Sequence, residues 1–150
     1  MRTRQLARGS LPPVGLDHRL DVRVYYEDTD VGGVVYYANY LKFMERGRTE
    51  WLRSAGINQS EVARDTGRVF VVAGLDIRYL KPARLDDTLT ICSQVTRLGR
   101  ASLHFAQRIS RQGELLTDSN VQLGCVDTVT MRAAPIPEFV RSKFAAIIQE

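Results

Sequence analysis

The sequence contains little cysteine or histidine, with only two of each among its 150 residues. Cys92 and Cys125 lie far apart, without Cys-x-x-Cys spacing and with no histidine nearby, which argues against a zinc site or a disulfide framework. We therefore expect two buried free thiols, no metal and no cofactor. His18 falls in an irregular N-terminal region and His104 in a predicted strand, and no Gly-x-Ser-x-Gly motif is present. A serine-histidine triad is therefore not expected.

Long hydrophobic runs are also absent. No segment approaches the roughly 18 consecutive apolar residues of a membrane-spanning helix, and residues 1–20 lack the apolar core of about seven or more residues that a secretory signal needs. Those twenty residues instead carry four arginines against one aspartate, so most of the formal net charge of +4 falls there. We predict a mobile Arg-rich extension over residues 1–20, a folded domain over 21–150, and a soluble cytoplasmic protein.

The basic extension raises two further hypotheses, binding to an anionic surface and binding to nucleic acid. The rest of the chain lacks the clustered basic residues with interleaved aromatics that are typical of nucleic-acid binders. We therefore expect no nucleic-acid partner, and any such binding would be confined to the extension.

The first half of the folded domain changes its periodicity at one point. Apolar residues alternate with polar ones at Val22, Val24 and Tyr26, which predicts a strand with one buried face. From Asn39 onward the apolar residues follow i, i+3, i+4 spacing, which predicts a long amphipathic helix ended by Gly56.

The second half predicts a short helix followed by a series of strands. Asn58 with Glu61 resembles a capping box for a helix that Gly67 closes. Four strands are predicted over 69–79, 89–96, 103–109 and 121–125, and a last helix follows Pro137. The turns between these strands are too short for helical crossovers, so the fold class is α+β with an antiparallel sheet.

The junction between the first strand and the long helix carries the candidate chemistry. The N-terminus of a helix exposes unpaired N–H groups and about half a positive charge, which favours a polarised carbonyl oxygen. If the chain reverses at Gly32 and Gly33, the Asp30 carboxylate would face a carbonyl group whose oxygen rests on the amides near Tyr37. This arrangement is typical of acyl transfer.

The same junction resembles the fingerprint of the hotdog-fold acyl-CoA thioesterases. The resemblance is to the 4-hydroxybenzoyl-CoA thioesterase family, in its Tol-Pal-operon-associated branch. It extends from about Asp21 to about Lys143 and includes the stretches 79–87 and 125–127. Its central motif is Tyr26-x-Asp28-Thr29-Asp30-x-x-Gly33-x-Val35-Tyr36-Tyr37-x-Asn39-Tyr40, followed by Phe43 and Glu45.

The resemblance implies a hotdog fold, in which an antiparallel sheet wraps around one long helix. It assigns catalysis to Asp30 and to the backbone N–H of Tyr37, although many members of this branch are expected to carry histidine at position 37. It further implies a homodimer or homotetramer whose sheets pair edge to edge, so that the strand 70–73 of one subunit lines the acyl site of the other.

Coenzyme A would enter as part of the substrate. Gly33 lets the backbone approach the ligand, and Tyr40 is a candidate for the acyl slot. Phosphate groups of coenzyme A need basic or hydroxyl donors, for which the resemblance suggests Arg97, Arg100 and Ser102.

Several alternatives stay open at this point. Asp30 could attack the carbonyl carbon directly or activate a water molecule, while Asp28 is expected to order the loop through backbone hydrogen bonds. Glu45 and Glu50 could supply a second carboxylate, but exposed helix positions explain them better. The alternative function is a non-catalytic scaffold that binds acyl-CoA or acyl carrier protein in envelope or lipid biogenesis.

Overall fold

A computed structural model describes residues 17–148 of the chain. It contains five strands, three α-helices and one 3₁₀ turn. In chain order these are β1 (Asp17–Arg23), the 3₁₀ turn (Tyr26–Asp28), α1 (Asn39–Ser54), α2 (Gln59–Thr66), β2 (Arg68–Tyr79), β3 (Thr88–Leu98), β4 (Ser102–Arg111), β5 (Glu114–Asp127) and α3 (Glu138–Ile148).

The first strand begins four residues earlier than the predicted domain boundary. Residues 17–20 belong to β1 and pair with β3, from Asp17 opposite Gln94 to Leu20 opposite Ile91. These four residues are therefore part of the sheet and not of a mobile extension. The prediction for residues 1–16 lies outside the described residues.

All five strands form one antiparallel sheet in the order β1-β3-β4-β5-β2. The predicted α+β class is confirmed, because all neighbouring strands pair antiparallel and no helix links two parallel strands. β1 and β2 are the two edges. β2 carries a bulge between Val72 and Gly74 in its pairing with β5.

The helix α1 packs across the sheet and forms the centre of the core. Its apolar stripe includes Phe43, Met44 and Trp51, all at least 97% buried, and the Trp51 ring meets Phe105 of β4 edge to face at 5.7 Å between centroids. The last helix closes this core, because the Phe144 ring lies 5.8 Å from that of Trp51. Of the two possible surfaces for this helix, the domain itself or a partner, the structure shows that it packs on the domain.

The predicted local signals mark the helix ends. The side chain of Asn58 accepts a hydrogen bond from the Glu61 amide, and Gly67 ends α2 with a left-handed φ of 71°. The first strand was predicted too long, because it ends at Arg23 and not at Tyr26. There the Asp28 carboxylate accepts a hydrogen bond from the Tyr25 amide and stabilises a 3₁₀ turn in competition with the strand.

Both cysteines are buried free thiols, as predicted. Burial raises the pKa of the Cys92 thiol to about 11, which disfavours a nucleophilic thiolate. Within residues 17–148 there is no helix long and apolar enough to cross a membrane, and no group of side chains that could hold a metal ion.

Gly47 sets how closely α1 approaches β3. A methyl group at this position would lie 2.6 Å from Cγ2 of Ile91 and 2.8 Å from Oγ of Ser93. Only glycine therefore fits here without moving the helix, even though glycine weakens a helix interior by about 1 kcal/mol relative to alanine.

We expect Gly47→Ala to lower the free energy of unfolding by about 1–2 kcal/mol, because overpacking of the core outweighs the gain in helix propensity. Urea denaturation measures this change. Lys42→Ala, at an exposed position of α1, is the control and should change stability by less than about 0.5 kcal/mol. An unchanged midpoint for Gly47→Ala would show that α1 can move off β3 without loss.

Candidate active site

The chain between the 3₁₀ turn and α1 folds back on itself as a tight hairpin. The amide of Tyr36 donates to the carbonyl of Asp28 at 3.0 Å, and the amide of Asp30 donates to the carbonyl of Val34 at 2.9 Å. The turn is closed by the Gly33 amide, which donates to the Asp30 carbonyl at 3.0 Å. Gly33 has a φ of 79°, which favours glycine at this position. The predicted reversal at the glycines is confirmed.

Asp30 lies at the exposed corner of this hairpin. Its Oδ1 accepts a hydrogen bond from the Gly32 amide at 2.8 Å, and within the described residues its carboxylate forms no ion pair. The hydrogen bond fixes the direction of the side chain, since an aspartate that bonds to the amide two residues later forms an Asx turn. The second oxygen is left available to a ligand.

Asp28 joins the hairpin to the long helix. Its side chain is buried, with Oδ2 accepting from the Tyr25 amide and Oδ1 accepting from Nδ2 of Asn39, both at 2.9 Å. Asn39 is the first residue of α1 and is itself buried. The expectation that Asp28 orders the loop is confirmed. Its contact with Asn39 was not predicted, because the two residues are eleven positions apart and meet only after the hairpin forms.

We expect Asp28→Asn to lower the free energy of unfolding by about 1–3 kcal/mol. An asparagine keeps one acceptor oxygen, but its NH₂ group would face another donor, either the Tyr25 amide or the Asn39 side chain. One of the two hydrogen bonds is therefore lost. Thermal or urea unfolding measures the loss. Asp21→Asn, an exposed aspartate of β1, is the control, and equal stability of the two variants would contradict the buried role of Asp28.

The first turn of α1 presents backbone N–H groups without a capping side chain. Ala38 precedes the helix in a helical conformation, no side chain caps it, and no acidic residue occupies the first turn. The amides of Tyr37 and Ala38 have no acceptor within residues 17–148, whereas the Tyr37 carbonyl accepts from the Tyr79 hydroxyl at 2.8 Å. Two backbone donors at the positive end of the helix dipole are therefore left without an acceptor beside the hairpin.

Tyr40 supports this arrangement from within the core. Its side chain is 3% exposed, and its hydroxyl accepts a hydrogen bond from the Ala83 amide at 3.0 Å. The Ala83 carbonyl in turn accepts from the Val35 amide, so Tyr40 ties the helix to the β2–β3 connection, which bonds to the hairpin. Burial raises the pKa of Tyr40. Its predicted place in the acyl slot stays a prediction.

Comparison with known proteins identifies the family. Residues 32–117 match the family model of the thioesterase superfamily. This chain belongs to that superfamily. The match begins at Gly32, so Asp28 and Asp30 precede it, and it covers α1, α2, β2, β3, β4 and the start of β5. Together with the antiparallel sheet around one long helix, it confirms the predicted hotdog fold and a thioester hydrolase.

Individual relatives agree with the family model. The chain is 42% identical to the acyl-CoA thioesterase YbgC of Haemophilus influenzae over 82% of this chain and 90% of that protein. It is 44% identical to the acyl-CoA thioester hydrolase YbgC of Escherichia coli O6:H1 over 84% of this chain and 94% of that protein. A probable thioesterase from Bartonella henselae has a similar structure, with a TM-score of 0.76, 35% identity, and coverage of 81% and 99% of the two chains.

The predicted phosphate-binding residues of this thioesterase lie at the far end of the sheet. The hairpin contacts the segment just before β3, because the Val35 amide donates to the Ala83 carbonyl and Val34 forms a β-bridge with Arg84. Arg97, Arg100 and Ser102 surround the turn at the other end of β3, which is about 30 Å away at about 3.3 Å per residue. One chain therefore does not bring these residues to Asp30, and their role stays a prediction.

Proposed function

We propose that this thioesterase hydrolyses acyl-CoA to a free acid and coenzyme A, using Asp30 and the N-terminus of α1. The proposal depends on one observation: the exposed Asp30 carboxylate and the free backbone amides at the start of α1 flank the same hairpin. The buried contact between Asp28 and Asn39 joins that hairpin to the helix. The curated names of relatives at 42% and 44% identity support acyl-CoA as the substrate class.

In the proposed mechanism the thioester oxygen accepts a hydrogen bond from the Tyr37 amide. The negative charge that develops on this oxygen is stabilised by the amide and by the positive end of α1. Asp30 then either attacks the carbonyl carbon to form a mixed anhydride, which water hydrolyses, or removes a proton from the attacking water. Both routes release the thiolate of coenzyme A, which takes up the proton, and neither requires a metal or cofactor.

The proposed active form is a dimer that pairs the two β2 strands. β2 bonds to β5 on one side only, and its other edge has no strand partner within the described residues. None of its twelve residues is fully buried, and Val72, Leu75 and Tyr79 are 52%, 41% and 44% exposed. A long apolar edge of this kind favours pairing with another strand.

Antiparallel pairing would also complete the site. A two-fold axis between the two β2 strands places the start of one strand beside the end of the other. The turn that contains Arg97, Arg100 and Ser102 of one protomer then lies at the same end of the joined sheet as Asp30 of the second. The expected phosphate contacts and the expected catalytic residues would then belong to different chains. Free coenzyme A thioesters are cytoplasmic metabolites, so we propose a cytoplasmic location.

A thiol-release assay on short, medium, long and aromatic acyl-CoA substrates tests the proposed function. We expect turnover of at least one class by the purified protein, detected through the free thiol of coenzyme A. Binding of these compounds without any turnover would instead support a non-catalytic scaffold. An arm with acyl carrier protein as the thioester carrier separates the two possible carriers.

A further inference from the structure

A pocket of about 140 Å³ lies between α1, the start of α2 and the edge of the sheet formed by β2 and β5. One of its walls is apolar and consists of Leu52, Phe70, Val72 and Leu123. This volume is close to that of cavities of about 150 Å³ that hold a benzene molecule. The pocket therefore has room for about six carbon atoms.

The polar part of the pocket lining contains Arg48, which is 9% exposed. Its Nη1 donates to Oε1 of Gln107 at 3.0 Å. Within residues 17–148 the guanidinium forms no ion pair and no other hydrogen bond. Burial lowers the pKa of Arg48, and the charge of Glu45 partly offsets this effect. The other guanidinium nitrogens of Arg48 are not sealed from solvent, so their N–H groups can donate to an acceptor that enters the pocket.

The Arg48 side chain is held in place by a buried network. Nε2 of Gln107 donates to the carbonyl of Met44 and to Oγ of Ser93, both at 2.8 Å. Both amide protons of Gln107 are thus committed, so its oxygen must face the guanidinium. Because this orientation is fixed before any ligand arrives, the remaining N–H groups of Arg48 are preorganised donors.

Within the described part of the chain, no other polar residue of the pocket forms a hydrogen bond or an ion pair with Arg48. The carboxylate of Glu45 accepts a hydrogen bond from Oγ1 of Thr49 at 2.9 Å and forms no ion pair with Arg48. Gln59 donates to the same Thr49 hydroxyl at 3.4 Å. These three residues bond to one another, and the guanidinium is left as the strong donor facing the space.

We propose that this pocket receives the far end of the acyl group and that Arg48 donates to an oxygen there, so that the enzyme prefers acyl groups of about six carbons with a terminal oxygen acceptor. This inference rests on the proposed function. Phe70 and Val72 lie near the start of β2, which in the proposed dimer adjoins the Asp30 hairpin of the second protomer. The apolar wall would hold the chain, and Arg48 would select its end.

Three substrates of equal carbon number test this proposal: hexanoyl-CoA, 6-hydroxyhexanoyl-CoA and adipoyl-CoA. We expect Arg48→Met to lower the ratio of kcat/KM for the oxygen-bearing substrates to that for hexanoyl-CoA by at least about tenfold, the usual effect of losing a hydrogen bond to a charged group. A purely structural defect would lower all three rates together. If the kcat/KM ratio falls for adipoyl-CoA alone, the site binds a carboxylate. If it falls for both oxygen-bearing substrates, the site binds oxygen acceptors in general.

Arg53→Met is the matched control, because Arg53 is exposed on the same helix and pairs with Glu50. Its substrate ratio should equal that of the wild type. If Arg48→Met does not fold, Arg48→Gln replaces it, since glutamine removes the charge but keeps an amide donor for Gln107. An unchanged ratio in the folded variant, with hexanoyl-CoA still hydrolysed, overturns this inference alone. No turnover of any acyl-CoA by the wild type overturns the proposed function and this inference with it.

Discussion

Asp30→Asn is expected to lower kcat for acyl-CoA hydrolysis by about 10³-fold or more, while the fold and acyl-CoA binding are retained. Removing a carboxylate that attacks or deprotonates in the transition state typically costs about 10²–10⁴-fold. The variant keeps Oδ1, which accepts from the Gly32 amide, so the hairpin should keep its shape. Steady-state kinetics together with calorimetric binding of a non-hydrolysable acyl-CoA analogue measure the two effects separately.

Glu27→Gln is the control for this experiment. Glu27 is exposed in the adjacent 3₁₀ turn and loses the same unit of charge without a proposed chemical role. We expect its kcat to stay within about twofold of the wild type, because isolated exposed charges interact weakly through water. Near wild-type turnover by Asp30→Asn would remove this residue from the mechanism, and a fall in binding rather than in kcat would give it a role in holding substrate.

Much of the fold follows from local signals in the sequence. The Asn58 cap, the stops at Gly56 and Gly67 and the apolar stripe of α1 each fix a helix end or face through contacts within a few residues. The end of β1 was missed because the carboxylate of Asp28 stabilises a turn where the alternation alone predicts extension. A side chain that bonds to the backbone can override a short periodic pattern.

The candidate site was predictable where its parts are contiguous in the chain. Asp30, Gly33 and Tyr37 fall in one segment, and the hairpin that joins them depends on the turn preferences of glycine and aspartate. Arg48 was missed because it lies next to the apolar stripe of α1 and bonds to Gln107, which is 59 positions away. A charged residue at the margin of such a stripe was the available signal, but its partner depends on the packing of α1 against β4.

The placement of Arg97, Arg100 and Ser102 shows a second limit of the sequence. A strand pattern gives the length of β3. It does not show whether the turn after β3 and the hairpin lie at the same end of the sheet. That relation depends on the strand order β1-β3-β4-β5-β2. Since the order separates the two groups within one chain, a shared site requires a second protomer, and this requirement can be tested at the β2 edge.

Leu75→Asp is expected to convert the proposed dimer into a monomer and to lower kcat/KM by at least about 100-fold at concentrations where the monomer prevails. Leu75 is 41% exposed on the unpaired edge strand, and the two-fold axis would bring two new carboxylates into one interface. Desolvated like charges across an interface cost several kcal/mol, which corresponds to a loss of affinity of about 10²-fold or more. Light scattering measures the mass, and the thiol-release assay measures activity on the same samples.

Ala146→Asp controls for the added charge, because Ala146 is exposed near the end of α3 and is not part of the β2 edge strand. It should leave both mass and kcat/KM unchanged. If the site is shared, the activity of Leu75→Asp should recover as protein concentration rises and dimers form again, whereas damage within one chain would not recover. A fully active Leu75→Asp monomer would show that one chain holds a complete site, and Arg97 and Arg100 would then lie too far from Asp30 to contact the same substrate.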